Sequence, residues 1–217
     1  TLYDRLSEDG GATAAPAWNI VDEDGGVAET GYGALSWNGN QFVVVKDDGS
    51  VVAHKVDRNG RIIEWGKKRV PVVETSDEVF EGDIAMSDSG MRYVVGNGSV
   101  VEVYEIVDGA WMIVGSSILG SESDNDGFGL SVSMSGDGSR IIVGSPRHDN
   151  GRGRTATYMF ASTDWVKMVD DTHGEHDRSN EGTCVSMDST GEYVAIGQPS
   201  TGTNRPGTVR VHQIVKK

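Results

Sequence analysis

The 217-residue sequence predicts an all-β fold made of a four-stranded antiparallel sheet repeated along the chain, and two observations carry that expectation. The first is a pattern that recurs about every fifty residues, a period at which a supersecondary unit stacks or rings with its own copies. Its copies run from Gly127 to Gly144, Glu181 to Gly197, Glu81 to Gly96 and, in worn form, Gly31 to Val45. The second is the apolar period inside a copy, which is two. Leu130, Val132 and Met134 alternate with Ser131 and Ser133 before Gly136-Asp137-Gly138, and Ile141, Ile142 and Val143 follow. Alternation broken by Gly, Asp and Ser reads as two strands joined in a hairpin.

The elements follow in the same order in each copy. Trp37, Met86, Met134 and Met187 align as the residue before the turn. The turns themselves are Asn38-Gly39-Asn40, Asp88-Ser89-Gly90, Gly136-Asp137-Gly138 and Asp188 to Gly191, where glycine permits positive φ and Asp or Asn bonds its own backbone. A third strand is expected at Val51 to Val56, Val100 to Ile106, Thr155 to Phe160 and Val209 to Ile214, each with a ring residue (His54, Tyr104, Tyr158, His212). A fourth is marked by Trp65, Trp111 and Trp165. No long stretch carries apolar residues at helical spacing. Four short strands per unit, arranged radially so that each sheet covers its neighbours, is the β-propeller architecture.

The repeat units fall at about residues 27–69, 79–115, 126–169 and 179–215, and the chain is expected to form a single propeller domain over 1–217. The last unit stops after its third strand. The missing strand is found near the other end, where Ala17-Trp18-Asn19-Ile20-Val21 resembles Ala110-Trp111-Met112-Ile113-Val114. Residues 14–22 are therefore the expected closing strand of a four-bladed ring, which removes edges that invite pairing with other chains. Thr1 to Leu6, with Tyr3 in the place of Tyr104, resembles a further third strand. That surplus leaves the alternative that the chain is a segment of a larger propeller.

Composition bounds the partners. With 33 acidic residues against 19 Lys plus Arg, the formal charge is −14, which argues against nucleic acid, whose binding needs a basic footprint. No apolar run is long enough to cross a bilayer, and these residues hold no secretory leader pattern. The one cysteine, Cys184, reads as a small buried residue of a first strand, and no intrachain disulfide is available to it. Asn97-Gly98-Ser99 has the glycosylation spacing, in a loop between second and third strands.

Phe128-Gly129, then Val143-Gly144-Ser145-Pro146, then Asn150-Gly151 and the Tyr158-Met159-Phe160 strand resemble the FG-GAP repeat family in order and kind. Ile196-Gly197-Gln198-Pro199 repeats the second element, while Tyr32-Gly33 only echoes the first and Gly82-Asp83 lacks its aromatic residue. The resemblance covers roughly residues 27 to 215. It implies a propeller that serves as a binding or adhesion module, an extracellular or cell-surface location, and calcium in an acidic loop of some blades. Seven blades are usual in that family, more than this chain holds.

Three groups are candidates for chemistry. Asp124, Asn125 and Asp126, with Glu122, form an acidic linker that offers several of the six to eight oxygens calcium takes. Asp22-Glu23-Asp24 and Asp170-Asp171 are lesser acidic groups, read as solvated. His173-Gly174-Glu175-His176-Asp177 holds two imidazoles and two carboxylates. Arg147, His148, Asp149, Asn150, Arg152 and Arg154 make the richest loop, locally basic on an acidic chain and suited to carboxylates, sulfates or acidic glycans through guanidinium forks. The tryptophans read as packing residues. The leading expectation is a noncatalytic module that binds a protein or glycan through its loops. A polysaccharide hydrolase or lyase is the alternative, with carboxylates such as Glu29, Glu81, Asp83, Asp126 and Glu181 converging at one rim. A structural fragment of a larger surface protein, partnered by the remainder of that polypeptide, is the third.

Overall fold

The computed structural model describes residues 32–46, 50–66, 81–120, 126–199 and 206–215, all of them in the unit Gly31–Lys217. The expected closing strand at 14–22, the strand around Tyr3 and the acidic residues at 22–24 and 122–125 lie outside the described residues.

The described residues form four antiparallel sheets in chain order. The first holds β1 (Tyr32–Leu35), β2 (Gln41–Val45), β3 (Val51–Val56) and β4 (Ile62–Glu64). The second holds β5 (Asp83–Met86), β6 (Arg92–Gly96), β7 (Val100–Val107) and β8 (Ala110–Ile113), with β9 (Ile118–Leu119) also paired to β7. The third repeats this with β10 (Ser131–Met134), β11 (Arg140–Ser145), β12 (Arg154–Ala161), β13 (Asp164–Lys167) and a short β14 (Thr172–His173). The fourth holds β15 (Cys184–Met187), β16 (Tyr193–Gln198) and β17 (Thr208–Gln213). Each is a propeller blade, and β1, β5, β10 and β15 lie side by side in that order. The short strands β9 and β14 were not signalled by the sequence, since two residues carry no period.

Each hairpin is set by the residue after its first strand. The hydroxyls of Ser36, Ser87 and Ser135 accept the N–H groups of Gln41, Arg92 and Arg140 at 3.1, 3.1 and 3.0 Å, and Asp188 does the same for Tyr193 at 2.7 Å. Gly39, Gly90, Gly138 and Gly191 occupy one turn position with φ between 67° and 72°, a backbone region that side chains with a Cβ avoid. These equivalences correct two alignments. Leu35, not Trp37, is the counterpart of Met86, Met134 and Met187; Trp37 belongs to the turn and is 85% exposed. Likewise Trp65 N donates to Ala53 O as Val114 N does to Val103 O, so Trp65 occupies the place of Val114 and Ile62 that of Trp111. The first slip arose from counting back from the turn residues, the second from matching the indole, and the hydrogen-bond frame corrects both.

Both faces of the inner blades are apolar because each is covered. Val43, Val45, Val51 and Ala53 of the first blade pack on Ile84, Tyr93, Val95, Tyr104, Ile106 and Trp111 of the second. Val94, Val101 and Val103 on the second blade's other face meet Val132, Met134, Ile141, Val143 and Trp165 of the third. Ile142 then meets Met187, Val194 and Ile196 of the fourth. Trp111 and Trp165 are packing residues with satisfied N–H groups: Trp111 Nε1 donates to Trp65 O at 3.0 Å and Trp165 Nε1 to Val114 O at 2.7 Å.

Cys184 is exposed, contrary to the expectation of burial. Its position on β15 matches Ser131 on β10, a residue covered by the next blade, and no described blade follows β15. The same face exposes Val209 at 70% and Val211 at 69%, whereas their counterparts Val101 and Val103 are 0% and 1% exposed.

Candidate functional site

The polar residues of this fold divide between seams that join blades and loops that face solvent. Near the first strands, side chains of one blade accept backbone N–H groups of the next. Asp83 Oδ2 accepts Val132 N at 3.0 Å, Ser131 Oγ accepts Val185 N at 3.0 Å, and Ser133 Oγ accepts Met187 N at 3.0 Å. Burial pushes the Asp83 carboxyl above the usual range, against the hydrogen bonds from Val132, Ile84 and Ser131 that favour its charge. The hairpin turns are tied in a backbone series: Trp37 N to Asp88 O, Asp88 N to Gly136 O, and Gly136 N to Ser189 O, at 3.2, 2.9 and 2.8 Å. Ser189 Oγ also donates to Asp88 Oδ2 at 2.6 Å across Gly136, where a Cβ has no room.

The glycines that carry the family resemblance have a steric cause in the same seams. A Cβ on Gly96 would collide with the Gly129 backbone of the next blade, and one on Gly144 with the Gly182 backbone. The glycine after Phe128 and the glycine after Val143 are thus two sides of one backbone-to-backbone approach, repeated blade by blade.

The loop of Arg147 to Arg154 joins β11 to β12 and is braced rather than free. It contains a short helical turn, α1 (His148–Gly151), in which Asp149 and Asn150 take left-handed φ of 49° and 55°, conformations these residue types tolerate best. Asn180 N donates to Gly151 O at 2.7 Å and Arg152 Nε to Gly174 O at 2.6 Å, so the loop is anchored to the segment that leads into the fourth blade. Arg154 lies between Asp126 (3.1 Å) and Asp171 (3.7 Å). Arg147 reaches Glu81 of the preceding blade at 2.8 Å, and Arg152 stands 3.8 Å from Asp149. His148 Nδ1 is 3.9 Å from Asp126, and its ring lies 5.9 Å from that of His173. Arg147, Asp149 and Asn150 are exposed at the tip, while Arg154 and His148 are its underside.

Of the proposed calcium residues, Asp126 is buried, with one oxygen accepting Phe128 N at 3.0 Å and the other facing Arg154. Asp124 and Asn125 lie outside the described residues. Among the described residues no cluster of three or more His, Cys, Asp or Glu has metal-holding geometry. His173 meets His148, whereas Glu175 pairs with Arg210 at 2.6 Å and His176 N with Ser179 Oγ at 3.2 Å. Asn97 is half-buried, its Oδ1 accepting Ser99 N and Val100 N at 3.3 and 2.9 Å. The first-strand carboxylates are each tied to a separate partner: Glu81 to Arg147, Asp83 to Val132, Asp126 to Arg154, and Glu181 to Thr172 and Arg210 at 2.5 and 3.3 Å. Glu29 lies outside the described residues.

Sequence reasoning missed Glu102, buried beneath Tyr104 OH and Ser117 Oγ, which both donate to it. Its place between Val101 and Val103 in a third strand was the available signal.

Residues 120–160 match the model of the FG-GAP repeat, a span that begins after β9 and ends within β12. No curated protein sequence matches the chain. Among solved structures the chain is similar to Kuenenia stuttgartiensis hydrazine synthase, with 15% identity, 84% of this chain and 50% of that chain covered, and a TM-score of 0.53. The chain thus spans half the length of that structure, and at this identity the likeness is one of fold. No described helix is long and apolar enough to cross a membrane.

Proposed function

We propose, from an FG-GAP repeat set among propeller blades, that the protein is a noncatalytic recognition module for a protein or glycan at a cell surface or outside the cell. The observation that carries this reading is the β11–β12 loop. It lies within the matched span 120–160 and presents Arg147, Asp149 and Asn150 to solvent on a backbone held from beneath by Arg152, Arg154 and Asn180. A loop fixed before binding loses little entropy on binding, which is the advantage of preorganisation. Arg147 offers a guanidinium to carboxylate or sulfate, and Asn150 offers both a donor and an acceptor. The acidic remainder of the chain repels anionic ligands elsewhere and so focuses them on this tip.

Protein and glycan arrays probed with the full chain and with the double variant Arg147→Ala, Asn150→Ala test the reading. Ligands bound by the parent and lost by the variant, with the melting temperature kept, support it. Ligands bound equally by both move the site off this loop, and silence in both arrays removes the reading.

A further inference from the structure

The first and fourth blades expose the two halves of the seam that joins blades inside the fold. Each inner blade turns one face to the blade before it and the other to the blade after. The face toward the following blade is small and aliphatic. In the first blade it carries Val43, Val51 and Ala53, and in the second Val94, Val101 and Val103, all of them buried. The fourth blade carries Ala195, Val209 and Val211 in that register, and there Val209 and Val211 are exposed. The face toward the preceding blade is built round a pair of rings. In the second blade Tyr93 and Tyr104 stack at 5.1 Å and are buried against the first blade. Phe42 and His54 hold the same register in the first blade and stack at 4.9 Å, yet both are only half-buried, and Leu35, paired with Phe42, is 55% exposed. Two further marks of the seam end at the same blades. Gly90, Gly138 and Gly191 lie under Gln41, Arg92 and Arg140 of the preceding blade, so closely that a Cβ would collide. Gly39 holds that turn position with nothing within 4 Å of where a Cβ would stand, and Tyr193, in the place of Gln41, Arg92 and Arg140, is 47% exposed. The series of turn bonds, among the described residues, ends at the Trp37 carbonyl and the Ser189 N–H.

We propose that the outer face of the fourth blade docks the outer face of the first blade of a second copy of this chain, repeating the interblade seam between molecules. Val209 and Val211 then cover the Phe42–His54 stack of the second copy, as Val51 and Ala53 pack with Tyr93 and Tyr104 inside the fold. Tyr193 lies over Gly39. Ser186 Oγ accepts Leu35 N as Ser133 Oγ accepts Met187 N, and Ser189 N donates to Trp37 O as Gly136 N does to Ser189 O. The occupant is a second copy because the aliphatic face, the ring-stack face, the open glycine and the exposed tyrosine match one another in a single register, and this chain carries all four. The contact joins two different surfaces, so each copy brings one face of each kind, and copies join head to tail. The β11–β12 loop takes no part in it.

Sedimentation equilibrium on the full chain tests this, with Val211→Glu spoiling one face and Leu35→Glu the other. The parent associates as its concentration rises. Either substitution raises the dissociation constant by about a hundredfold or more, since it places a carboxylate in an apolar seam. Mixing the two variants restores association, limited to two copies, because the Leu35→Glu copy keeps an intact fourth-blade face and the Val211→Glu copy an intact first-blade face. Circular dichroism checks each fold, and Val209→Glu or Leu35→Asn serves where a first choice does not fold. A parent that stays monomeric overturns the proposal, as does association that survives either substitution. Association lost in both variants and not recovered on mixing marks a contact between like faces and also overturns it.

Discussion

Replacing Trp165 by alanine isolates what one indole contributes to the seam between two blades. The side chain is buried, donates to Val114 O at 2.7 Å and lies against Phe160. Loss of a buried tryptophan by truncation costs about 3–5 kcal/mol, combining lost transfer energy with the cavity left behind. Trp165→Phe keeps much of the ring and deletes the donor, leaving a buried carbonyl without its partner, at about 1–3 kcal/mol. For a domain of this size each kcal/mol moves the melting temperature by about 2–4 °C. The alanine variant should thus melt about 6–20 °C lower and the phenylalanine variant about 2–12 °C lower. Trp37→Ala is the control: that ring is 85% exposed, and its loss should stay within about 0.5 kcal/mol. Thermal melts followed by circular dichroism, with urea titrations for the slope, measure all three. An alanine variant within 1 °C of the parent, or one matched by Trp37→Ala, refutes the packing argument.

Ser133→Ala strands Met187 N–H at the seam and should cost about 1–3 kcal/mol, with exchange at that amide accelerated more than at Val194. Arg154→Ala leaves Asp126 buried beside no cation and should cost about 3–5 kcal/mol, an amount that Asp126→Asn in the same chain should partly return. Asp83→Asn tests a pH dependence. Because the folded-state carboxyl is raised by burial, protonated Asp83 favours folding below the ordinary aspartate value, and that contribution is lost as pH rises through the raised value. The asparagine variant should gain stability relative to the parent as pH rises above the ordinary aspartate value of about 3.9, levelling off once pH passes the raised value; a gain that shrinks with rising pH contradicts the assignment.

The fold was legible where the pleat leaves its mark. Alternation in Leu130 to Met134 and the glycine turns placed the hairpins within a residue or two, since period two and positive φ are local properties. What failed was non-local. Ser131 and Ser133 were legible only as the polar half of an alternation, which does not say whether water or another backbone lies opposite. Cys184 looked buried for the converse reason, its covering blade being a matter of tertiary order. Trp37 was matched by its place before a turn and Trp65 by ring type, and only the hydrogen-bond frame put Leu35 and Ile62 in their places. At the loop, the residue types of Arg147 to Arg154 were readable as a basic cluster. That Arg154 and His148 turn under toward Asp126 was not, because Asp126 comes from another part of the chain.

The series of turns at Trp37, Asp88, Gly136 and Ser189 has a bearing on how such chains change length over generations. At Asp88 and Gly136 the N–H donates to the turn that follows and the carbonyl accepts from the turn before, so each of these units hands on the same two groups it was handed. A duplicated unit spliced into the series would find both of its groups engaged, and its neighbours would notice no difference. Blade number is therefore not written in any one joint. It is left to the two outermost sheets, and a gene can gain or shed a unit without having to reinvent the seam.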